Sequence, residues 1–133
     1  MSVTASCHCG AQQIDLPAVP TKATECNCSY CSRTGALWSY YEPGEITVRS
    51  SGPESIYAPT GMMKHHFCSG CGMQTWGDAP DWASMYTADG TPKDGVDPAA
   101  IPTKRRFQVN LRLVDGLDWS RIEIEKLDGR NSW

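Results

Sequence analysis

The feature that most constrains this chain is a stretch with three thiols within six residues, Cys26-Asn27-Cys28-Ser29-Tyr30-Cys31. If the stretch begins on a β-strand, Cys26 and Cys28 point to the same face, and a turn lets Cys31 rejoin them. Converging thiolates suit zinc, which binds cysteine sulfur at about 2.3 Å. The stretch offers three ligands and no obvious fourth, which is typical of zinc sites that must contact a substrate.

The remaining cysteines form two pairs, Cys7-His8-Cys9 near the N-terminus and Cys68-Ser69-Gly70-Cys71 in mid-chain. A Cys-x-x-Cys on a tight, glycine-containing turn forms a zinc knuckle. Together the pairs supply the four ligands of a closed structural site, which would join segments roughly 60 residues apart. The prediction is therefore two zinc ions per chain, one fully enclosed by sulfur and one with a coordination position left open.

Other divisions of the seven thiols are possible. A histidine (His8, His65 or His66) could complete the triplet, which would make both sites purely structural. Iron–sulfur ligation fits less well, because the spacings do not match the common ferredoxin runs. A redox role for Cys68 and Cys71 lacks the βαβ context that would support it.

The rest of the sequence predicts a mainly β fold of short strands in one domain covering residues 1–133. Twelve Gly and nine Pro indicate many turns, and no segment of ten or more residues holds a helical apolar period. Strands are expected at 11–16, 36–41, 45–49, 73–76 and 106–113, with a final strand around Ile122 and Ile124, and a turn at 50–53 precedes Glu54-Ser55-Ile56-Tyr57. One helical turn is expected within 116–121. The segment 77–103 is rich in Gly, Pro, Asp, Ala and Thr and is predicted to be a long loop.

Charge and composition argue against several functions. The net charge of −3 and a pI of about 5.5 give no indication of a nucleic-acid or anionic-membrane partner. The first residues, Met1 to Ser6, lack the basic and apolar regions of a signal peptide, and no window has the length of a membrane span. We therefore expect a cytoplasmic protein with reduced thiols, a setting in which clustered cysteines indicate metal or catalysis.

A few polar residues are candidate substrate contacts. Arg33 follows the triplet closely and could pair with a substrate carboxylate, although a solvated surface arginine is the default interpretation. Tyr30 could donate its hydroxyl or simply pack its ring in the turn. Asn110 and Arg112 alternate with apolar residues on the predicted strand 106–113, so both would lie on its polar face, toward a cleft or toward solvent.

Four features of the sequence carry a family resemblance: the cysteine pattern, Arg33-Thr34-Gly35-Ala36-Leu37, Val109-Asn110-Leu111-Arg112 and Asp128-Gly129-Arg130. Together they resemble the glutathione-dependent formaldehyde-activating (GFA) family, which includes CENP-V-like domains. The resemblance covers nearly the whole chain. It implies an Mss4-like fold of several short coiled antiparallel sheets with a structural zinc knuckle. It also implies a structural zinc on Cys7, Cys9, Cys68 and Cys71, a catalytic zinc on Cys26, Cys28 and Cys31, and a carbon–sulfur lyase activity on glutathione and formaldehyde.

Three thiolates more than neutralise Zn²⁺, so such a site is a weak Lewis acid, better suited to holding a reactive thiolate than to hydrolysis. This favours an enzyme that forms or cleaves the adduct of a small thiol such as glutathione. The alternative is a non-catalytic, zinc-stabilised module that recruits a protein partner, because fold alone does not decide function. The two differ in whether the triplet has a fourth protein ligand. The oligomeric state has no signature in the sequence.

Overall fold

The computed structural model describes residues 3–132, which form short strands in two β-sheets with very little helix. The strands are β1 (Val3–Ser6), β2 (Gln12–Leu16), β3 (Lys22–Cys26), β4 (Trp38–Tyr41), β5 (Thr47–Ser50), β6 (Glu54–Tyr57), β7 (Lys64–Cys68), β8 (Gln74–Pro80), β9 (Arg105–Asn110) and β10 (Glu123–Leu127). The helices are α1 (Cys31–Thr34) and α2 (Gly129–Ser132), and single 3₁₀ turns span Trp82–Ser84, Leu111–Leu113 and Trp119–Arg121. The predicted mainly β class is confirmed, as are the strand at 11–16, observed as β2, and the helical turn within 116–121.

The smaller sheet has the order β1-β2-β5, and the larger has the order β10-β3-β4-β9-β8-β7-β6. Alternation along β2 turns Ile14 and Leu16 inward, where both are almost fully buried. The residues that meet between the sheets form one apolar cluster, which includes Ala5, Ile14, Leu16, Ala23, Leu37, Ile46, Val109, Leu111, Val114 and Ile122. This core fixes the larger sheet, whose strands β3, β4 and β9 support the cysteine triplet.

The predicted strand 106–113 is wrong beyond Asn110, where β9 ends. The side-chain oxygen of Asn110 accepts the backbone N–H of Arg112 at 3.2 Å and so starts a 3₁₀ turn. Asn110 is itself buried, with 7% exposure. Asn110 and Arg112 therefore do not share the polar face of one strand, as the alternation predicted.

The pairing of β10 with β3 is parallel, whereas every other strand pair in the structure is antiparallel. The expected antiparallel pairing therefore holds for the other strand pairs, and this edge of the sheet is an exception that the sequence did not indicate. The register places Leu127 beside Cys26. As a result, residues that follow β10 emerge next to the cysteine triplet, about a hundred positions later in the sequence.

The segment 77–103 is more ordered than the sequence predicts. Its first residues, Gly77 to Pro80, continue β8, and the remainder folds back on itself. The Tyr86 hydroxyl donates to the carbonyl oxygen of Ala100 at 2.5 Å, and Tyr86 pairs with Pro92 in an isolated bridge. Within residues 3–132 we find no helix with the length and apolar character needed to cross a membrane.

Candidate metal centres

Two groups of cysteines converge in the structure, and they are the two groups that the sequence predicts. Within each group all sulfur atoms lie within 4.8 Å of one another. In the first group the sulfurs of Cys7 and Cys9 are 3.7 Å apart, and those of Cys9 and Cys68 are 3.6 Å apart. Four sulfurs bound tetrahedrally to zinc at about 2.3 Å would be separated by about 3.8 Å. Cys7, Cys9, Cys68 and Cys71 could therefore hold one ion with little rearrangement.

The four-cysteine group joins the two sheets, because each pair sits at the turn of a hairpin. The turn between β1 and β2 carries Cys7 and Cys9, while the turn between β7 and β8 carries Cys71 and begins at Cys68. The backbone N–H of Gln12 donates to the Cys7 sulfur at 3.2 Å. An N–H donated by Cys9 to the Cys71 sulfur is the main reason that the pKa of Cys71 is lowered to about 6. Such donors favour the thiolate form that a metal requires.

The second group, Cys26, Cys28 and Cys31, is built by a strand end, a turn and a helix start. The strand ends at Cys26, so Cys28 does not lie on the same strand face as Cys26, in contrast to the sequence-based expectation. Instead the N–H of Cys28 points to the Cys26 sulfur at 3.5 Å and the N–H of Cys31 to the Cys28 sulfur at 3.3 Å. These bonds fold the turn around the sulfurs, and they bring the third thiol to the other two.

The three sulfurs of the triplet also interact directly. The thiol of Cys31 donates to the sulfur of Cys26, which lowers the pKa of Cys26 to about 5. The same bond, together with burial, raises the pKa of Cys31. One thiolate thus forms readily in the cluster, and a bound cation would take the place of the shared proton.

The potential metal ligands that converge at the triplet in residues 3–132 are all cysteine sulfurs. Among residues 3–132, no histidine or carboxylate joins the three sulfurs within 4.8 Å. The alternative in which a histidine completes the site therefore finds no support in this geometry. His8 is exposed on its turn, whereas His65 and His66 are buried and stack on Tyr30 and Trp76, respectively.

A surface cleft of about 210 Å³ lies beside the triplet, lined by Lys22, Thr24, Trp38, Ser39, Tyr40 and Glu125. Trp38 connects the two, because its indole N–H donates to the Cys31 sulfur at 3.3 Å. Burial is the main cause that raises the pKa of Tyr40 to about 12, and the nearby charges of Cys31 and Cys26 raise it further. Trp38 is therefore a core residue that also reaches the cleft, and Tyr40 forms part of the cleft wall.

Comparison with known proteins adds to this geometry. A family model described as glutathione-dependent formaldehyde-activating enzyme (GFA) matches residues 2–106. The chain belongs to this family. A crystal structure of a Rhodobacter sphaeroides protein is similar in fold, with a TM-score of 0.60, 23% identity, and coverage of 93% of this chain and 99% of that one. The comparison with curated proteins found no match.

In this GFA-family chain, Tyr30 connects the turn that carries the cysteine triplet to the larger sheet. Its ring stacks on His65 with centroids 3.8 Å apart, and its hydroxyl donates to the side-chain oxygen of Gln74. The side chain of Asn110 donates to the backbone oxygen of Gln74 at 3.1 Å and accepts from Leu37. Both residues thus support the turn and the strand beside it.

Arg33 and Arg112 lie on the exposed side of α1. Arg33 donates to the Ser29 carbonyl at 2.7 Å, and Arg112 donates to the Gly35 carbonyl at 2.6 Å. In the part of the chain that the structure describes, neither has a carboxylate within 4.0 Å, whereas Arg49, Arg105, Arg106 and Arg121 each do.

Residues from the C-terminal part of the chain also reach the triplet, and this contact was not predicted from the sequence. Asn27 and Arg130, which are 103 positions apart, are joined by hydrogen bonds next to the cysteines. The only signal for this contact was the Asp128-Gly129-Arg130 motif, which gives no spatial information without the parallel pairing of β10 with β3.

Proposed function

We propose that this chain is a zinc-dependent carbon–sulfur lyase of the GFA type. It would bind a small thiol such as glutathione at Cys26, Cys28 and Cys31, and form or cleave its S-hydroxymethyl-type adduct. The observation that carries the proposal is the triplet itself, in which three sulfurs converge and no histidine, carboxylate or further cysteine among residues 3–132 joins them. Trp38, which donates to the Cys31 sulfur, also lines the neighbouring cleft. Membership in a family described as glutathione-dependent formaldehyde-activating supports the same chemistry.

A zinc ion held by Cys26, Cys28 and Cys31 would supply one effect: it would lower the pKa of an added thiol and favour its nucleophilic thiolate form. In adduct formation, the substrate sulfur forms a bond to the aldehyde carbon, the carbonyl π electrons move to oxygen, and the proton lost by the thiol ends on that oxygen. Cleavage is the reverse. The protein contributes by position: the cysteines fix one end of the substrate, and the cleft wall formed by Trp38 and Tyr40 limits its approach.

The arginines give a basis for recognising an anionic thiol. Arg33 and Arg112 flank α1 with N–H groups left over after their carbonyl contacts, and a guanidinium matches the geometry of a carboxylate. We propose both as substrate contacts. Tyr30 and Asn110 are also proposed to lie near the substrate, although their bonds to Gln74 favour a supporting role.

The same reasoning assigns two zinc ions per chain. The ion on Cys7, Cys9, Cys68 and Cys71 would be structural, and its free energy of binding would stabilise the junction of the two sheets. All seven cysteines are free thiols in the structure, which suits a reducing compartment, and we propose that the protein acts in the cytoplasm as a single domain.

The test compares two cysteine variants. Native mass spectrometry should find two zinc ions in the wild type and one in each of Cys28→Ser and Cys71→Ser. Adduct formation from glutathione and formaldehyde, followed by NMR, should be lost in Cys28→Ser. Cys71→Ser should instead lower the melting temperature, while any folded fraction remains active.

Unchanged turnover by Cys28→Ser protein that has lost its second ion would contradict the proposal. A fully loaded wild type that turns over no thiol adduct would favour the non-catalytic binding module.

A further inference from the structure

Asn27 lies between two cysteines of the triplet, and its four polar groups all bond to the last residue of β10 or to the segment that follows it. Its N–H donates to the Leu127 carbonyl at 3.2 Å, and its side-chain amide donates to Asp128 at 2.9 Å. Its side-chain oxygen accepts the backbone N–H of Arg130 at 2.9 Å, and its carbonyl accepts the Arg130 Nε at 3.1 Å. Any rotation of the Asn27 backbone or side chain would therefore break hydrogen bonds to this segment.

The Arg130 guanidinium also reaches the other end of the same turn. Its Nη2 donates to the hydroxyl of Ser32 at 3.0 Å. One planar side chain thus connects Asn27 and Ser32, the two residues that enclose Cys28 and Cys31 in the sequence. A guanidinium suits this role because its donors form a rigid fork, whereas an ammonium group is a single point.

The C-terminal segment is itself held firmly. Parallel pairing sets Leu127 beside Cys26, and the backbone N–H of Gly129 donates to the Cys26 sulfur. The carboxylate of Asp128 accepts a hydrogen bond from the side chain of Asn131 at 3.0 Å. This bond is the main cause that lowers the pKa of Asp128, and the hydrogen bond from Asn27 is the second. This segment lies beyond residues 2–106, the part matched by the GFA family model.

We propose that Arg130 is a positioning residue, which holds the turn from Asn27 to Ser32 in the conformation that lets the triplet retain its metal. The inference rests on metal binding by the triplet, as in the proposed function, but not on the lyase reaction. A three-cysteine site has one protein ligand fewer than its neighbour, so it depends more on ligands that are already in place. Within residues 3–132 the hydrogen bonds of Arg130 go to Asn27 and Ser32 and not to the four-cysteine site, which should be indifferent to it.

The experiment measures zinc release from loaded protein to a chromogenic chelator. Arg130→Gln is expected to release the triplet ion about 10- to 100-fold faster than the wild type, the range typical of residues that orient metal ligands. Release from the four-cysteine site should not change. Cys28→Ser protein, which should carry only the four-cysteine ion, assigns the two phases.

Three further variants separate geometry from charge and from general destabilisation. Arg121→Gln removes the same charge from a side chain that is 87% exposed, and should behave as the wild type. Arg130→Lys keeps the charge but cannot bridge both ends, so it should recover only part of the retention. Ser32→Ala removes one end of the bridge, and its effect should largely disappear in the Arg130→Gln background.

Equal acceleration at both sites, or none at the triplet, would overturn the proposal. Complete rescue by Arg130→Lys would also overturn it, since charge alone would then explain the effect. Because the readout is metal release, an inactive wild type that still binds two ions would refute the lyase activity and leave this inference open to its own test.

Discussion

The indole N–H of Trp38 donates to the sulfur of Cys31 across 3.3 Å, and Trp38 is 99% buried. An N–H donor held against a thiolate stabilises its charge and fixes its direction. Trp38→Phe keeps an aromatic ring but removes the donor, so we expect metal affinity at the triplet to fall about 10-fold. Titration with Co²⁺, monitored by its thiolate charge-transfer bands, measures the change.

The four-cysteine site is the internal control for this variant. Its Co²⁺ affinity should stay within experimental error of the wild type. Equal weakening at both sites would mean that the smaller ring had simply loosened the core.

Gly77 is expected to be intolerant of any side chain. A Cβ at this position would lie 2.9 Å from both Cγ and Nε2 of Gln108, a buried residue of the neighbouring strand. Gly77→Ala should therefore lower the free energy of unfolding by about 1–3 kcal/mol, as overpacking does. Urea denaturation of the zinc-saturated protein gives the value.

Gln108→Ala offers a matched test of the cause. In that background the cost of Gly77→Ala should shrink by about 1 kcal/mol or more, because the clash is removed. Strictly additive effects would show that Gly77 is needed for another reason.

His65 should make the folded protein less stable in mild acid. Burial, followed by the charge of His66, lowers the pKa of His65, so the unfolded chain binds a proton at a pH where the folded chain does not. Stability from this residue is complete above the ordinary histidine pKa of about 6.5 and falls as the pH drops below it. The melting temperature of His65→Phe, which retains a ring against Tyr30, should decline less than that of the wild type between pH 7 and 5.

Thiol protonation and metal loss contribute to both proteins, so the difference between them isolates His65. Parallel curves for the two proteins would contradict the assignment.

Arg33 should affect anionic thiols more than neutral ones. We expect Arg33→Gln to raise the KM for glutathione about 2- to 5-fold, the size of an exposed ion pair, and to leave the KM for 2-mercaptoethanol unchanged. Arg121→Gln is the charge-matched control. A similar rise for both thiols would place Arg33 in the structure of the turn and not in substrate recognition.

The cysteines explain why much of this site was predictable from sequence. Their spacing restricts how the sulfurs can meet, and both groups assemble as expected. Short strands bounded by Gly and Pro were predictable for a similar local reason, as β2 illustrates. The GFA resemblance inferred from those residues is confirmed by the family match.

Contacts between distant segments were not predictable in this way. Alternation continued past Asn110 in the sequence, but a side-chain hydrogen bond to Arg112 ended the strand there. The parallel partner of β3 depends on where β10 arrives after the rest of the sheet has formed, and no local pattern records that. For the same reason the contact of Arg130 with Asn27 escaped the sequence analysis.

The distance along the chain between that pair has a consequence for synthesis on the ribosome. Residues up to Cys71 complete the four-cysteine site, whereas Arg130 is translated roughly 60 residues later, which takes about 3–12 s at 5–20 residues per second. During that interval the nascent triplet has its thiols but lacks the segment that orders them. We therefore expect the two ions to be acquired in sequence, with the enclosed ion first, so that a cell short of zinc would accumulate folded chains carrying only that one.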